Sequence, residues 1–270
     1  MRIRPYWTLC PTWNVWSPKA EPLPETVTRR WKISICTTCM GRVEDLKRTL
    51  PVNISDNSDY PEVEFVVVNY NSQDDMHEYM TSSAMLSHLL SGKVRYLRTR
   101  LPRFFSMSHS RNVAFMNATG DIVTNVDADN FTGKEFASYL NRLANIRPHR
   151  VIFAKGKRRI NGRLGMFKND FVSLGGYDEE LIGYGGDDYS LLLRAMYSNF
   201  TLMWWVGSRK DFMRRIVTPR DHVGINMENP DWRETERMNR EIILKNLKQG
   251  KFVANRNRSW RQAEDLEVHS

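Results

Sequence analysis

Asp127 and Asp129 stand one residue apart at the end of the short run Ile122-Val-Thr-Asn-Val126. Two carboxylates at that spacing offer hard oxygen donors to one divalent cation, and a cation there can hold a diphosphate. Asp and Asn are also ordinary turn formers, so the pair by itself would equally suit a solvated turn. Three further groups argue for chemistry. Asp187-Asp188 close the segment that begins at Gly175-Gly176 and runs through Gly183-Tyr184-Gly185-Gly186, with five glycines in twelve residues. Such a run lets backbone approach a ligand closely, and an acid behind it can cap a helix, act as general base or bind an acceptor. His222, in Pro219-Arg-Asp-His-Val-Gly224, adds an imidazole, which beside two carboxylates suits Mn2+ better than an all-carboxylate site tuned to Mg2+. Arg111, in Ser108-His-Ser-Arg-Asn112, has the forked guanidinium that fits a phosphate or orients an acidic loop. A surface arginine is the plain alternative.

Apolar periodicity supplies the elements that must position these groups. Trp31–Cys36 alternates as a first strand, and Thr37–Arg42 reads as the loop after it. Val43–Leu50 reads as a helix ended by Pro51. Val63–Val68 is a β-branched second strand, Asp74–Leu90 has helical spacing up to Gly92, and Val94–Leu97 is a third strand. Ser108–Met116 reads as a helix capped by Ser108 or Ser110. Ile122–Val126 is the strand that delivers the acids, and Phe136–Ile146 is an amphipathic helix. This alternation predicts an α/β domain around a mostly parallel sheet. Beyond it come strands at Val151–Ala154, Leu164–Phe167 and Phe200–Val206, a helical turn at Phe171–Leu174, and helices at Ser190–Met196 and Asn229–Lys248. Lys155–Arg163, or the loop near Trp204-Trp205, could close over a ligand. The tail beyond Gly250 is basic and polar and reads as mobile.

The 270 residues hold 40 Lys and Arg against 31 Asp and Glu, a net +9 that favours anionic partners: nucleotide phosphates, nucleic acid or an anionic membrane face. No apolar run is long enough to span a membrane, and Met1–Cys10 lacks the apolar core of a signal peptide, so a cytoplasmic location is expected. Met1 to about Arg30 is rich in Trp and Pro and reads as an extended arm, packed on its own domain or on a second copy. Cys36-Thr-Thr-Cys39 has redox spacing, but Cys36 falls in a strand instead of at a helix start, and no second pair exists to complete a zinc site.

The segment Ser106–Asn130 resembles the signature of family 2-like glycosyltransferases. The resemblance implies the GT-A fold, a Rossmann-like nucleotide-binding domain with flanking helices, in which Asp127 and Asp129 hold the metal of a nucleotide-sugar. Ile33–Arg42 resembles the first strand and uridine-binding loop, which implies donor contacts at Thr37, Thr38 and Arg42. Val66–Ser72 resembles the second strand, with Asn69 where Asp is usual; Asn too can hydrogen-bond an imide edge. Arg111 and Asp127 complete the implied donor set. Gly175–Asp188 resembles the C-terminal motif of the beta-1,4-galactosyltransferases, which usually carry Trp at the position of Tyr184 and Glu at that of Asp187. By that likeness Asp188 is the general base, and Tyr184, Gly185, Gly186 and Asp187 bind the acceptor. His222, ahead of Asp231-Trp-Arg, matches their metal-ligating His, at a longer spacing.

These likenesses imply inverting transfer of a hexose or N-acetylhexosamine from a UDP-sugar, with Mn2+ or Mg2+, to a glycan or glycolipid hydroxyl. A retaining reaction like that of the polypeptide N-acetylgalactosaminyltransferases is the alternative. A non-catalytic nucleic-acid binder, prompted by the charge and by Asn255–Arg261, is another, and it leaves the acid clusters unexplained. The expected organisation is an arm at 1–30, a catalytic domain at 31–225 with donor half 31–147 and acceptor half 148–225, and a C-terminal helix with basic tail at 226–270. Peripheral contact with an anionic membrane, and a homo-oligomer formed through the arm, are the further partners this sequence suits.

Overall fold

The computed structural model describes residues 15–16, 23–24, 26–154, 163–204, 212–216, 226–256, 260 and 263–269. Strands β1 (Val15–Trp16), β2 (Ile33–Cys39), β3 (Val63–Tyr70), β4 (Val94–Thr99), β5 (Ile122–Asn125), β7 (Val151–Ala154), β8 (Leu164–Phe167), β9 (Thr201–Trp204) and β11 (Glu267–His269) form one sheet in the order β1-β9-β7-β8-β5-β2-β3-β4-β11. The pairs around β2 and β3 are parallel, β8 runs antiparallel to β5 and β7, and β11 runs antiparallel to β4. The expected α/β architecture with a mostly parallel sheet is therefore present. Every residue of β3 is buried, the signature of a strand covered on both faces. Its side chains divide by period two: Val63, Phe65 and Val67 enter one core, and Val66, Val68 and Tyr70 the other.

The first core lies under α1 (Val43–Asp56), α2 (Met76–Met80), α3 (Ser83–Leu90) and α5 (Phe136–Ile146); the second lies under α4 (Met107–Asn117) and α7 (Asp187–Tyr197). α6 (Lys168–Ser173) follows β8, and β6 (Asn130–Phe131) pairs with β10 (Arg214–Arg215) beside the main sheet. Val15 and Trp16 of the arm add to the sheet edge on β9. The sheet's two free cysteines, Cys36 and Cys39, face opposite cores; burial pushes the Cys39 thiol up to about 12 and that of Cys36 well above its ordinary value. Neither is a reactive thiolate.

Four expectations about elements are corrected. Pro51 does not end the first helix: α1 continues to Asp56, because Leu50, Asn53 and Ile54 are buried by the longer helix and outweigh one missing amide. The helix expected at Asp74–Leu90 is two, broken at Thr81-Ser82, where Thr81 Oγ1 donates to the His77 carbonyl (2.8 Å) and Ser82 takes an extended conformation. The cap of α4 is Ser106, whose hydroxyl accepts from His109 N at 3.3 Å, and not Ser108 or Ser110. The tail is not loose. After α8 (Trp232–Lys248) it crosses the domain, buries Trp260 against Phe171, and pairs β11 with β4. Asp265 receives the Thr99 hydroxyl and the amides of Arg100 (2.5 Å) and Leu101 (3.1 Å).

Candidate active site

The parallel strands β2, β3 and β5 end together, and the loops that leave their C-terminal ends are where an open α/β sheet binds ligands. The acid loop after β5 is pinned through its backbone. Val126 N donates to the Cys36 carbonyl (2.9 Å), and the Val126 carbonyl accepts from the Thr37 hydroxyl (2.8 Å). The Ala128 carbonyl accepts from Thr49 Oγ1 (2.6 Å) and that of Asn130 from Asn53 Nδ2 (2.9 Å). Thr49 and Asn53 are one turn apart on α1, in the part of the helix on either side of Pro51. The loop's geometry therefore depends on the helix not stopping there.

Arg111 is the centre of the site. It is 2% exposed, and its guanidinium donates from one nitrogen to Asp127 Oδ1 at 3.0 Å and from another to Asp187 Oδ2. Burial alone would draw its pKa down; Asp187 and then Asp127 outweigh that and hold it above its ordinary value. Its neighbour Asn112 exchanges hydrogen bonds with both backbone groups of Tyr177 and donates to Glu179 Oε1 at 2.8 Å. One helix thus fixes Asp127 with one residue and the glycine segment with the next. Two acid clusters sixty residues apart in the chain meet on this single guanidinium.

Four of the five glycines serve close approach, and the partner is the chain itself. A Cβ on Gly175 would stand 2.1 Å from the Ala254 carbonyl oxygen, and one on Gly176 would stand 2.5 Å from Trp260. Gly183, Gly185 and Gly186 lie against Thr235, Glu236 and Asn239 of α8. All five have positive φ. At Gly175, Gly176, Gly183 and Gly186 the close neighbour is the chain itself, whereas Gly185 has only ordinary contacts. Thr235 binds both backbone groups of Tyr184, and Asn239 holds Ile182 and the Gly185 carbonyl. Tyr184 itself remains 37% exposed, with its ring edge-on to Trp232. Gly186 delivers the chain into α7, so Asp187 and Asp188 occupy the first turn, where the helix dipole favours carboxylates. Both are buried, and Asp188 Oδ1 accepts from Tyr189 N at 2.7 Å.

The remaining expected residues are placed as follows. Thr38 Oγ1 accepts from Ser110 Oγ at 3.3 Å, and Arg42 pairs with Asp45 while reaching within 3.8 Å of Asp129. Asn69 spends its amide internally, donating to the Tyr96 hydroxyl (3.0 Å) and accepting from Ser72 N (2.8 Å). His222 lies outside the described residues, as do 155–162 and Trp205 of the loops expected to close. Among the described residues no three His, Cys, Asp or Glu converge as a metal cluster. Asp127 and Asp129 nonetheless fit one. Burial, then the charge of Asp127, lifts the Asp129 carboxyl above the usual carboxylate range, a repulsion that a cation would relieve. Asp127 keeps 36% of its side chain exposed.

Asn130 and Arg163 extend the contacts of Asp129. Asn130 Nδ2 donates to Asp129 Oδ1 at 2.7 Å, and Asn130 Oδ1 accepts from both Nε (2.8 Å) and a terminal nitrogen (2.5 Å) of Arg163. Arg215 lies across the β6–β10 ladder from Asn130. A basic residue just ahead of β8 was a visible signal; its arrival beside Asp129 depends on β8 inserting antiparallel next to β5.

The model of one protein family, described as Glycosyl transferase family 2, matches residues 34–197, more than half of the chain. No curated protein matches in sequence. Among solved structures, the mannosyltransferase PcManGT from Pyrobaculum calidifontis, in complex with GDP-Man and Mn2+, superposes with a TM-score of 0.59 at 20% identity, covering 80% of this chain and 64% of that one. S. aureus TarS 1-349 in complex with UDP-GlcNAc gives 0.58 at 16% identity, covering 84% of this chain and 74% of that one. GalNAc-T7 with UDP, GalNAc and Mn2+ gives 0.55 at 13% identity, covering 67% and 43%. At these identities the likeness is one of fold, and it is the GT-A fold. The chain spans about two thirds or less of the mannosyltransferase and GalNAc-T7 chains.

Proposed function

The chain belongs to glycosyl transferase family 2, and from that membership we propose that it is a metal-dependent, inverting transferase. It moves a hexose or N-acetylhexosamine from a UDP-sugar to a hydroxyl of a glycan or lipid-linked glycan. The observation that carries this reading is the double engagement of Arg111, which sets the Asp127 side and the Asp187-Asp188 side at one place. A donor-holding group and an acceptor-side base must stand on either side of one anomeric carbon, and a shared buried cation fixes that relation.

Asp127 and Asp129, with His222, are the residues that would hold the metal, and Mn2+ suits that mixed set better than Mg2+. When bound, the cation supplies Lewis-acid stabilisation of the departing diphosphate. Thr37, Thr38, Arg42 and Asn69 line the strand ends where the nucleotide would lie. Asp188 accepts the proton of the acceptor hydroxyl as that oxygen bonds to the anomeric carbon; the carbon–oxygen bond to the β-phosphate breaks, and its electron pair leaves with UDP. Asp187 is held by Arg111, so its part in acceptor binding is to orient the glycine segment. Tyr184, the exposed aromatic beside Gly185 and Gly186, suits the apolar face of a sugar. The galactosyltransferase-like motif makes galactose and its N-acetyl form the first donors to try.

Asp188→Asn keeps the first turn of α7 and removes the base. Transfer should fall roughly a hundred- to ten-thousandfold while UDP binding in Mn2+ stays within about twofold. Transfer near the parent rate would remove Asp188 from this role, and the anomeric configuration of the product separates inversion from retention. The net charge of +9 suits an acceptor at an anionic membrane face, and liposome co-sedimentation tests that contact. Oligomerisation through the aromatic arm is tested by the mass in solution with and without residues 1–30.

A further inference from the structure

Arg163 carries a charge that the reaction described so far does not use. It lies immediately before β8, 6% exposed, and among the described residues its guanidinium donates only to one neutral oxygen, Asn130 Oδ1. A buried guanidinium ordinarily finds a carboxylate, because five donors and a full charge are costly to leave half satisfied. Asn130 passes the contact on, its Nδ2 donating to Asp129 Oδ1, so Arg163 sits one amide away from the acid pair. Arg215, exposed on β10, lies opposite Asn130 in the β6–β10 ladder and makes no ion pair among the described residues. Arg214, the next residue on the same strand, turns instead over the Phe131 ring. Burial, against the pull of Asp127 and Asp129 and with the added repulsion of Arg215, lowers the Arg163 pKa. A buried guanidinium with unfilled donors, and a second arginine across the ladder from its partner Asn130, make a basic edge beside the acid pair that an anion can occupy.

Resting on the transferase reading above, we propose that Arg163, with Arg215 across the ladder from Asn130, binds the diphosphate of the donor beside Asp127 and Asp129. Arg163 is then a catalytic residue in its own right. Its unused N–H groups hold phosphate oxygens as negative charge builds on the leaving group, and Asn130 keeps it in register with Asp129. Arg215 draws the anion in and releases it with the product.

The test measures binding of UDP, uridine and pyrophosphate in Mg2+ by calorimetry to the full chain and to Arg163→Gln, Arg163→Lys and Arg215→Gln. Gln can still donate to Asn130 but has no charge. UDP and pyrophosphate should bind roughly ten- to hundredfold more weakly to Arg163→Gln, and several-fold more weakly to Arg215→Gln with a steeper loss at low salt. Lys should restore much of the loss, and uridine should be unaffected in all three. Equal UDP affinity in folded Arg163→Gln and in Arg215→Gln overturns the proposal. So does an equal weakening of UDP and uridine, which would make Arg163 a packing residue only. If Arg163→Gln does not fold, Arg163→Lys and the exposed Arg215→Gln decide. Arg163-dependent pyrophosphate binding without UDP binding would keep the anion seat and sink the UDP-sugar reading; if the parent chain binds none of the three, both fall.

Discussion

Arg111 is a residue whose removal should be costly twice. It neutralises Asp187, which is 4% exposed, and it restrains Asp127, so Arg111→Met leaves an uncompensated carboxylate inside the protein. We expect a loss of about 3–5 kcal/mol in urea unfolding. Arg111→Lys keeps one charge but cannot fork to two carboxylates, and should recover part of the stability while transfer stays well below the parent rate. If Arg111→Met unfolds within about 1 kcal/mol of the parent, the buried tie is not the strong contact that its burial implies. At this scale much of the site was legible. Asp127, Asp129, Arg111, Asp187 and Asp188 stand out by charge placed beside apolar or glycine-rich runs, and they converge. Arg163 was visible only as the end of a basic loop and Asn130 not at all, because the two gain meaning only when the antiparallel β8 brings them together. Asn69 was legible as a strand-end polar residue, but its engagement with Tyr96 and Ser72 was not.

Strands and helices with strong periodicity were readable in the sequence, and the places where the reading failed share a cause. Pro51, the Thr81-Ser82 break and the tail after Gly250 are all decided by what packs on them. Local propensity stops α1 at Pro51, whereas burial of Leu50 and Ile54 carries it on. The tail has few apolar residues, yet Trp260 is 6% exposed and fills the space over Gly176 that no Cβ can occupy. This burial also removes Trp260 from any stacking on nucleic-acid bases. Asn255 Nδ2 donates to the carbonyls of Gly175 (2.8 Å) and Tyr177 (2.6 Å), so the tail braces the segment that leads to Asp187. Trp260→Ala should lower stability by about 3–5 kcal/mol and expose the tail to protease after Gly250. It should also raise KM for the acceptor more than for the donor, because the glycine segment loses its backing. Unchanged protease resistance would show that the tail is held by β11 and Asp265 alone.

Across the whole molecule the sheet divides its labour between its two ends. Charged groups are gathered in the loops at the C-terminal ends of β2, β3 and β5; at the opposite ends a buried acid is consumed by structure. Glu64, 4% exposed on β3, accepts from the Ser34 hydroxyl of β2 (2.6 Å) and from the amide (2.6 Å) and hydroxyl (2.7 Å) of Thr119 ahead of β5. Burial alone would raise its pKa, but these three hydrogen bonds, from Ser34 first, outweigh it, so the folded-state value lies below the ordinary one. The linkage sign follows. A lowered folded pKa means that the unfolded chain binds the proton more readily, so the contribution is complete above the unfolded value of about 4.3 and is lost as pH falls through the lower folded value. Glu64→Gln should therefore cost roughly 1–3 kcal/mol at pH 7, and the gap to the parent protein should close on acidification below about pH 4. Because Glu64 is far from the acids of the site, the same substitution should leave nucleotide affinity unchanged at neutral pH. Denaturant titrations of the two proteins between neutral and acid pH measure it. A gap that stays constant on acidification would mean that Glu64 is already protonated in the folded protein. Its three donors would then be holding a neutral acid, and the sheet's lower end would owe its stability to the two apolar cores instead.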